Sequence, residues 1–403
     1  MKSGTVFKRT IAALLFTVLV ISSFTACGSS SNNNRNPKND TRLDDDMRRS
    51  LDSLKRIDSS GMLYEMDVTF DYYSDAMQKI VAEENYINHD HGCTSFMTHN
   101  ENNDVITCRN FDTNHRAKNE KDAAGIFIIY HCHPVGKYKS ISIGDAKYFG
   151  EEGGMRHPGA LDDGKSDVSN VLYGIFDTLD GMNEKGLTVS TLSSDLSEDE
   201  YCYNVFKHGC ETCVIGTILR YMLDECATVD EAVQLAHKYN VMPYTGSKKL
   251  DHIFVSDASG DSKVIEWRYD EIRVADTDIA TNFYQTWNDS APHKVKTSIK
   301  YENDSQLSKT YMNYQYGYGH GYERFNIVAS TLQQYAEFDI NNNYKTHLTN
   351  ELARNLLSLV AQQMTPEMTS MTQYSVIYNS STLSADIWLY RDYLTKYNVA
   401  VKK

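Results

Sequence analysis

The chain has 403 residues, enough for one large domain or two ordinary ones with a sizeable buried core. Hydrophobic residues make up 41% and charged ones 23%, a globular mixture that excludes wholesale disorder. The net charge of −14 argues against a nucleic-acid partner, because phosphate binding is driven by basic surface.

The chain opens with Lys2, Lys8 and Arg9, followed by an apolar run from Ile11 to Ile21. That run is short for a bilayer span, so residues 1–26 read as an export signal. Phe24-Thr25-Ala26-Cys27-Gly28 resembles the bacterial lipobox, with Phe24 where Leu is usual. The expectation is a lipoprotein acylated on Cys27 and anchored in the bacterial cell envelope, on the outer side of the cytoplasmic membrane. Residues 27–60, beginning with a Ser/Asn tract, read as a polar tether. Met47, Leu51, Leu54 and Ile57, then Met77, Ile80 and Val81, fall at helical spacing. Asp40 to Glu84 is therefore expected to be helical, and residues 61–92 to form a helical propeptide-like segment.

From Cys93 the texture changes to strand. Cys93 to Thr98 and Val105 to Asp112, separated by a polar turn, read as a hairpin. Further strands are expected at Ile126 to His131, Leu187 to Leu192, Ile253 to Val255, Lys263 to Trp267 and Val376 to Tyr378. Helices are expected at Thr212 to Glu225, Val229 to Lys238, Phe325 to Ala336 and Asn350 to Met364. Elements come in blocks, not in βαβα alternation, which favours an α+β or layered sandwich. No repeat or boundary divides residues 93–403.

Two segments carry the chemistry: Gly92-Cys93-Thr94-Ser95-Phe96 with Cys108-Arg109-Asn110-Phe111-Asp112, and Asp180-Gly181-Met182-Asn183-Glu184-Lys185-Gly186-Leu187. Together with Ala280-Thr281-Asn282, Glu323-Arg324-Phe325 and Thr372-Gln373-Tyr374-Ser375, in that order, they resemble the choloylglycine hydrolase family of N-terminal-nucleophile hydrolases. That family includes bile salt hydrolases, penicillin V acylases and the acid ceramidase branch. The resemblance covers Cys93 to about Tyr390. It implies a four-layer αββα sandwich, here with a helical N-terminal extension, and cleavage of a linear amide C–N bond without cofactor or metal.

The chemistry asks for these residue types. An ordinary cysteine, with a pKa of about 8.5, is mostly protonated at neutral pH. A free α-amine, with a pKa of about 7.7–8, can take the thiol proton if Cys93 is the first residue, so the Gly92–Cys93 bond must be cut. The resemblance places Arg109 and Asp112 beside the nucleophile, makes Asn282 a side-chain oxyanion donor, and sets Arg324 near the centre. It puts a backbone donor near Ser193, where bile salt hydrolases carry Asn.

Other readings stay open. Cys93 could be a structural buried thiol, Arg109 and Asp112 a surface ion pair, and Asn282 a turn residue. Cys202, Cys210, Cys213 and Cys226 suit a disulfide or free thiols better than zinc, because no second CxxC or paired His completes a site. His89, His91, His131 and His133 form two HxH pairs that read as solvent-facing or propeptide residues. Tyr316 to Tyr322 reads as an aromatic loop. The expected substrate is a small N-acylated molecule, with oligomeric state undetermined. An acyltransferase, or an idle binding lipoprotein of the same fold, remains an alternative.

Overall fold

The computed structural model describes residues 43–74, 77, 91–115, 117–148, 157–193, 209–242, 251–268, 271–286, 320–338, 344–365 and 370–402. All of them fall in one unit, Asn36–Lys403. Expectations for the export signal, Cys27, Cys202, His89 and residues 316–319 lie outside the described residues.

In chain order the strands begin with β1 (Lys55–Arg56), β2 (Leu63–Val68), β3 (His91–His99), β4 (Val105–Thr113), β5 (Phe127–Cys132) and β6 (Ser140–Asp145). They continue as β7 (Asp180–Asn183), β8 (Thr188–Leu192), β9 (Glu211–Val214), β10 (Tyr239–Met242), β11 (His252–Ser256) and β12 (Ser262–Arg268). The last are β13 (Glu271–Asp276), β14 (Ile279–Ala280), β15 (Ala336–Phe338), β16 (Tyr344–Thr346), β17 (Met371–Asn379), β18 (Ser384–Leu389) and β19 (Tyr397–Ala400). The main helices are α1 (Asp45–Asp52), α2 (Ile215–Glu225), α3 (Val229–Ala236), α4 (His320–Gln334) and α5 (Asn350–Leu359). Asp44, Thr228 and Thr349 cap α1, α3 and α5 through their side-chain oxygens.

A nine-stranded sheet runs β1-β2-β5-β6-β7-β8-β11-β12-β13, and a six-stranded sheet runs β14-β3-β4-β17-β18-β19. Within them only β2–β5 pairs in parallel. Because a strand shows alternate residues to opposite faces, each sheet can bury both sides. Three apolar clusters show that it does. Ile253 and Ile265 pack with Ile218, Met222 and Val229 of the helices on one side. Phe111, Phe127, Met182, Phe254 and Tyr374 fill the space between the sheets. Phe96, Cys108 and Ile377 meet Val328, Leu332 and Leu356 of α4 and α5. Three interlayer cores mean four layers, α/β/β/α.

The N-terminal expectation needs correction. Only Asp45–Asp52 is helical in the described part of 43–74, and Leu63–Val68 is a strand. Tyr64, Met66 and Val68 point into the helix-side core while Glu65 and Asp67 are half-buried, a two-residue period that outweighed the segment's charge. Leu43 and Met47 join the same core, with Leu51 and Leu54 packed against it, so the described part of the expected tether, residues 43–60, is folded onto the domain, and Phe70, Tyr72 and Met77 follow it there. In the predicted aromatic loop, His320, Gly321 and Tyr322 instead open α4.

The strand β7 and its turn show why the run Asp180 to Leu187 reads as it does. A Cβ on residue 181 would lie 2.5 Å from the Ile141 carbonyl oxygen, so only glycine fits. Asn183 Oδ1 accepts from the N–H groups of Lys185 and Leu187, and its Nδ2 donates to the carbonyls of Leu223 and Cys226. Gly186 closes the turn at φ 81°, the left-handed region.

Candidate active site

The hairpin β3–β4 places Gly92 opposite Asp112, Cys93 opposite Phe111 and Ser95 opposite Arg109. Cys93 and Arg109 face the space between the sheets; Cys108 faces α4 and α5. That alternation separates the two hairpin cysteines: Arg109 Nη2 lies 3.4 Å from Cys93 Sγ, while burial alone pushes the Cys108 thiol up.

Cys93 is fully buried, with the Gly92–Cys93 peptide continuous through β3. Burial pushes its thiol up to about 12, against the pull of the Arg109 guanidinium. In this uncut state the sulfur is a thiol. The Cys93 N–H, which cleavage would turn into the α-amine, donates to Asn282 Oδ1 at 2.8 Å. A Cβ on residue 92 would stand 2.9 Å from Gln362 Nε2, so a larger residue there would have to push the Gln362 side chain aside.

Arg324, from α4, is the hub of this corner. Its Nη1 donates to the Cys93 carbonyl at 2.5 Å and to Thr94 Oγ1 at 2.6 Å, and lies 3.5 Å from Asp112 Oδ2. Its Nη2 donates to Asn282 Oδ1 at 2.5 Å. With Oδ1 engaged, the amide of Asn282 turns its Nδ2 to the Ser193 carbonyl, 2.6 Å away. Asp112 is buried, and Thr372 Oγ1 donates to it at 2.6 Å. Burial pushes its carboxyl up to about 6 in spite of Arg324. Cys93, Arg109, Asp112, Asn282, Arg324 and Ser193 thus converge, and Ser193 enters through its carbonyl.

Several partners were not anticipated. Asp180 of β7 lies 3.1 Å from Arg109 Nε. Glu266, fully buried on β12, accepts from the N–H groups of Gln285 and Thr286 at 2.7 and 2.9 Å, from Thr286 Oγ1 at 2.5 Å, and from His252 Nδ1 at 3.2 Å. It thereby ties down the segment that follows Asn282. The signal was present: Glu266 falls two residues after Val264, on the face that packs between the sheets.

Elsewhere, Cys210, Cys213 and Cys226 carry free thiols, so no disulfide joins those three. Among the described residues no three metal-ligating side chains cluster. His131 is buried against Glu65 at 2.9 Å and is not solvent-facing.

Residues 93–309 match the family described as linear amide C–N hydrolases, choloylglycine hydrolase family. A penicillin V acylase of Pectobacterium atrosepticum is 37% identical over 100 residues, which are 23% of this chain and 26% of that protein. The match therefore spans about a quarter of that relative's length. Among solved structures, a mutant of the conjugated bile acid hydrolase from Clostridium perfringens aligns at a TM-score of 0.48 and 16% identity, over 76% of this chain and 92% of that one. A penicillin V acylase from Agrobacterium tumefaciens aligns at 0.45 and 19%, over 76% and 86%.

Proposed function

Because the chain belongs to the choloylglycine hydrolase family of linear amide C–N hydrolases, we propose that it is an exported, lipid-anchored amidase that cleaves a small N-acyl substrate through Cys93. One observation carries the reading: the Cys93 sulfur, its own backbone nitrogen and the Asn282 amide share one buried corner with Arg109 and Arg324. The motif at Cys27 supports the anchor and the envelope location.

In this reading the chain first cuts itself. The Cys93 sulfur attacks the Gly92 carbonyl carbon, the Gly92–Cys93 C–N bond breaks as the nitrogen takes a proton, and water hydrolyses the resulting thioester. Gly92 leaves as a carboxylate and Cys93 gains a free α-amine. In turnover that amine accepts the thiol proton, the thiolate attacks the acyl carbon, and the amide nitrogen departs protonated. Water then releases the acid and regenerates the thiol. Arg109 stabilises the thiolate, and Asn282 Nδ2 supplies a donor to the developing oxyanion once a substrate displaces it from Ser193.

The test joins two measurements on the purified full chain. Mass spectrometry is expected to find a polypeptide beginning at Cys93. A panel of bile-salt conjugates, penicillin V, N-acyl amino acids and N-acylethanolamines is expected to include a substrate that releases free amine. Active protein with an intact Gly92–Cys93 bond would overturn the N-terminal-amine mechanism. Transfer of the acyl group to an added amine in preference to water would favour the acyltransferase reading.

A further inference from the structure

The Arg109 guanidinium is held from three sides. Nη1 donates to the Leu179 carbonyl at 2.8 Å, Nε lies 3.1 Å from Asp180 Oδ2, and Nη2 is the group at the Cys93 sulfur. Asp180 is in turn held by two hydroxyls: Tyr374 donates to Oδ2 and Tyr378 to Oδ1. The tyrosines sit four residues apart on one face of β17, in the same sheet as Arg109, whereas Asp180 belongs to the other sheet. All four side chains are buried. We propose that Asp180, Tyr374 and Tyr378 are positioning residues that lock Arg109 against the Cys93 sulfur and keep its charge available there.

The argument is electrostatic. A buried carboxylate facing a single guanidinium would cancel most of its field at the neighbouring sulfur. Two hydroxyl donors on the same carboxylate draw its charge away from Arg109, so more of the cation's field reaches Cys93. Burial drives both phenols well above their ordinary range, so they stay protonated and act only as donors. Burial also pushes the Asp180 carboxyl up, so the same donors help keep it ionised. Tyr374 additionally stacks on Phe111, the cross-strand partner of Cys93, with ring centroids 5.2 Å apart. This gives Asp180 and Tyr374, each from a segment quoted above for its resemblance, a shared physical task.

The proposal rests on Cys93 as the reactive thiol, and its test needs no substrate. In the full chain, alkylation of Cys93 by iodoacetamide is followed by peptide mass spectrometry as a function of pH. Tyr374→Phe and Tyr378→Phe, which keep the rings and their packing, are each expected to raise the pH midpoint and slow alkylation at neutral pH about threefold. Where a substrate is in hand, kcat is expected to fall with KM little changed. Midpoints and rates unchanged in folded Tyr374→Phe and Tyr378→Phe, or a Cys93 in the unsubstituted chain that alkylates at no pH, would overturn the proposal. Shifted midpoints in a protein that hydrolyses no amide would uphold it and sink the amidase reading instead.

Discussion

Tyr72 and Asp224 stand 152 residues apart, yet the Tyr72 hydroxyl donates to the Asp224 carboxylate at 3.0 Å, and Tyr73 donates to the same oxygen at 2.8 Å. Asp224 is also paired with buried Arg220 at 2.6 Å. The two tyrosines come from before the Gly92–Cys93 bond and the pair from after it. Leu43, Met47, Tyr64, Met66, Val68 and Phe70 bury their side chains in the same core. At roughly 1.5–3 kcal/mol of gross burial for each large apolar side chain, before the cost of ordering the segment, they favour its staying bound.

The segment before Cys93 is therefore expected to copurify with the catalytic chain after cleavage, and to separate only under denaturing conditions. Tyr72→Phe and Tyr73→Phe each remove a donor to a buried carboxylate and should cost about 1–3 kcal/mol. Gel filtration in increasing urea would read this as earlier release. A fragment that falls away in native buffer would refute it.

The two hairpin cysteines should behave differently. Cys93→Ser is expected to abolish turnover and to slow or abolish self-cleavage, because a hydroxyl ionises far less readily than a thiol. Cys108→Ser places a hydroxyl among Phe96, Ile377 and α5, so it should lower stability while the folded fraction keeps its turnover. Equal loss of specific activity in the two folded variants would show that the wrong sulfur had been chosen.

Asp112 carries a pH signature. Its carboxyl is raised in the folded protein to about 6 from an ordinary value near 3.8. A group raised on folding contributes stability that is fully present below its unfolded pKa and lost as pH rises through the folded value, here between about 4 and 6. Asp112→Asn lacks that titration. The Tm of the variant relative to the unsubstituted chain is therefore expected to increase from pH 4 to pH 7. A decrease over that range would mean that Arg324 outweighs burial.

Asn282 and its anchor should separate by size of effect. Asn282→Ala removes a donor aimed at the oxyanion position and is expected to lower kcat by about 10²–10³. Glu266→Gln leaves the donor in place but loosens the Gln285–Thr286 tie, so kcat should fall by about tenfold with a smaller change in KM. A Glu266→Gln loss as large as that of Asn282→Ala would point to collapse of the site.

The β3–β4 hairpin was legible because a polar turn separates two short strand-like runs, and its order with Asn282 and Arg324 marked the site. Residues that act through long-range contacts were not. Nothing local joins Asp180 to Tyr374, 194 positions away, or Glu266 to Thr286. β2 was obscured by acidic residues between its buried ones, and β7, four residues with a glycine, is too short to show a period. Tertiary pairing decided these elements.

β2 lies between β1 and β5, inside the nine-stranded sheet; it and β1 precede the Gly92–Cys93 bond, and every other strand of that sheet follows it. An intact precursor can bring β2 to β5 at a rate independent of concentration. Once the peptide is severed, the same pairing must be re-formed by the collision of two molecules. Maturation would thus turn a first-order folding reaction into a second-order one, and a cut enzyme that unfolds at low concentration would have little prospect of returning. Its working lifetime would then be set by the rate at which the nicked sheet opens, not by an equilibrium between folded and unfolded forms.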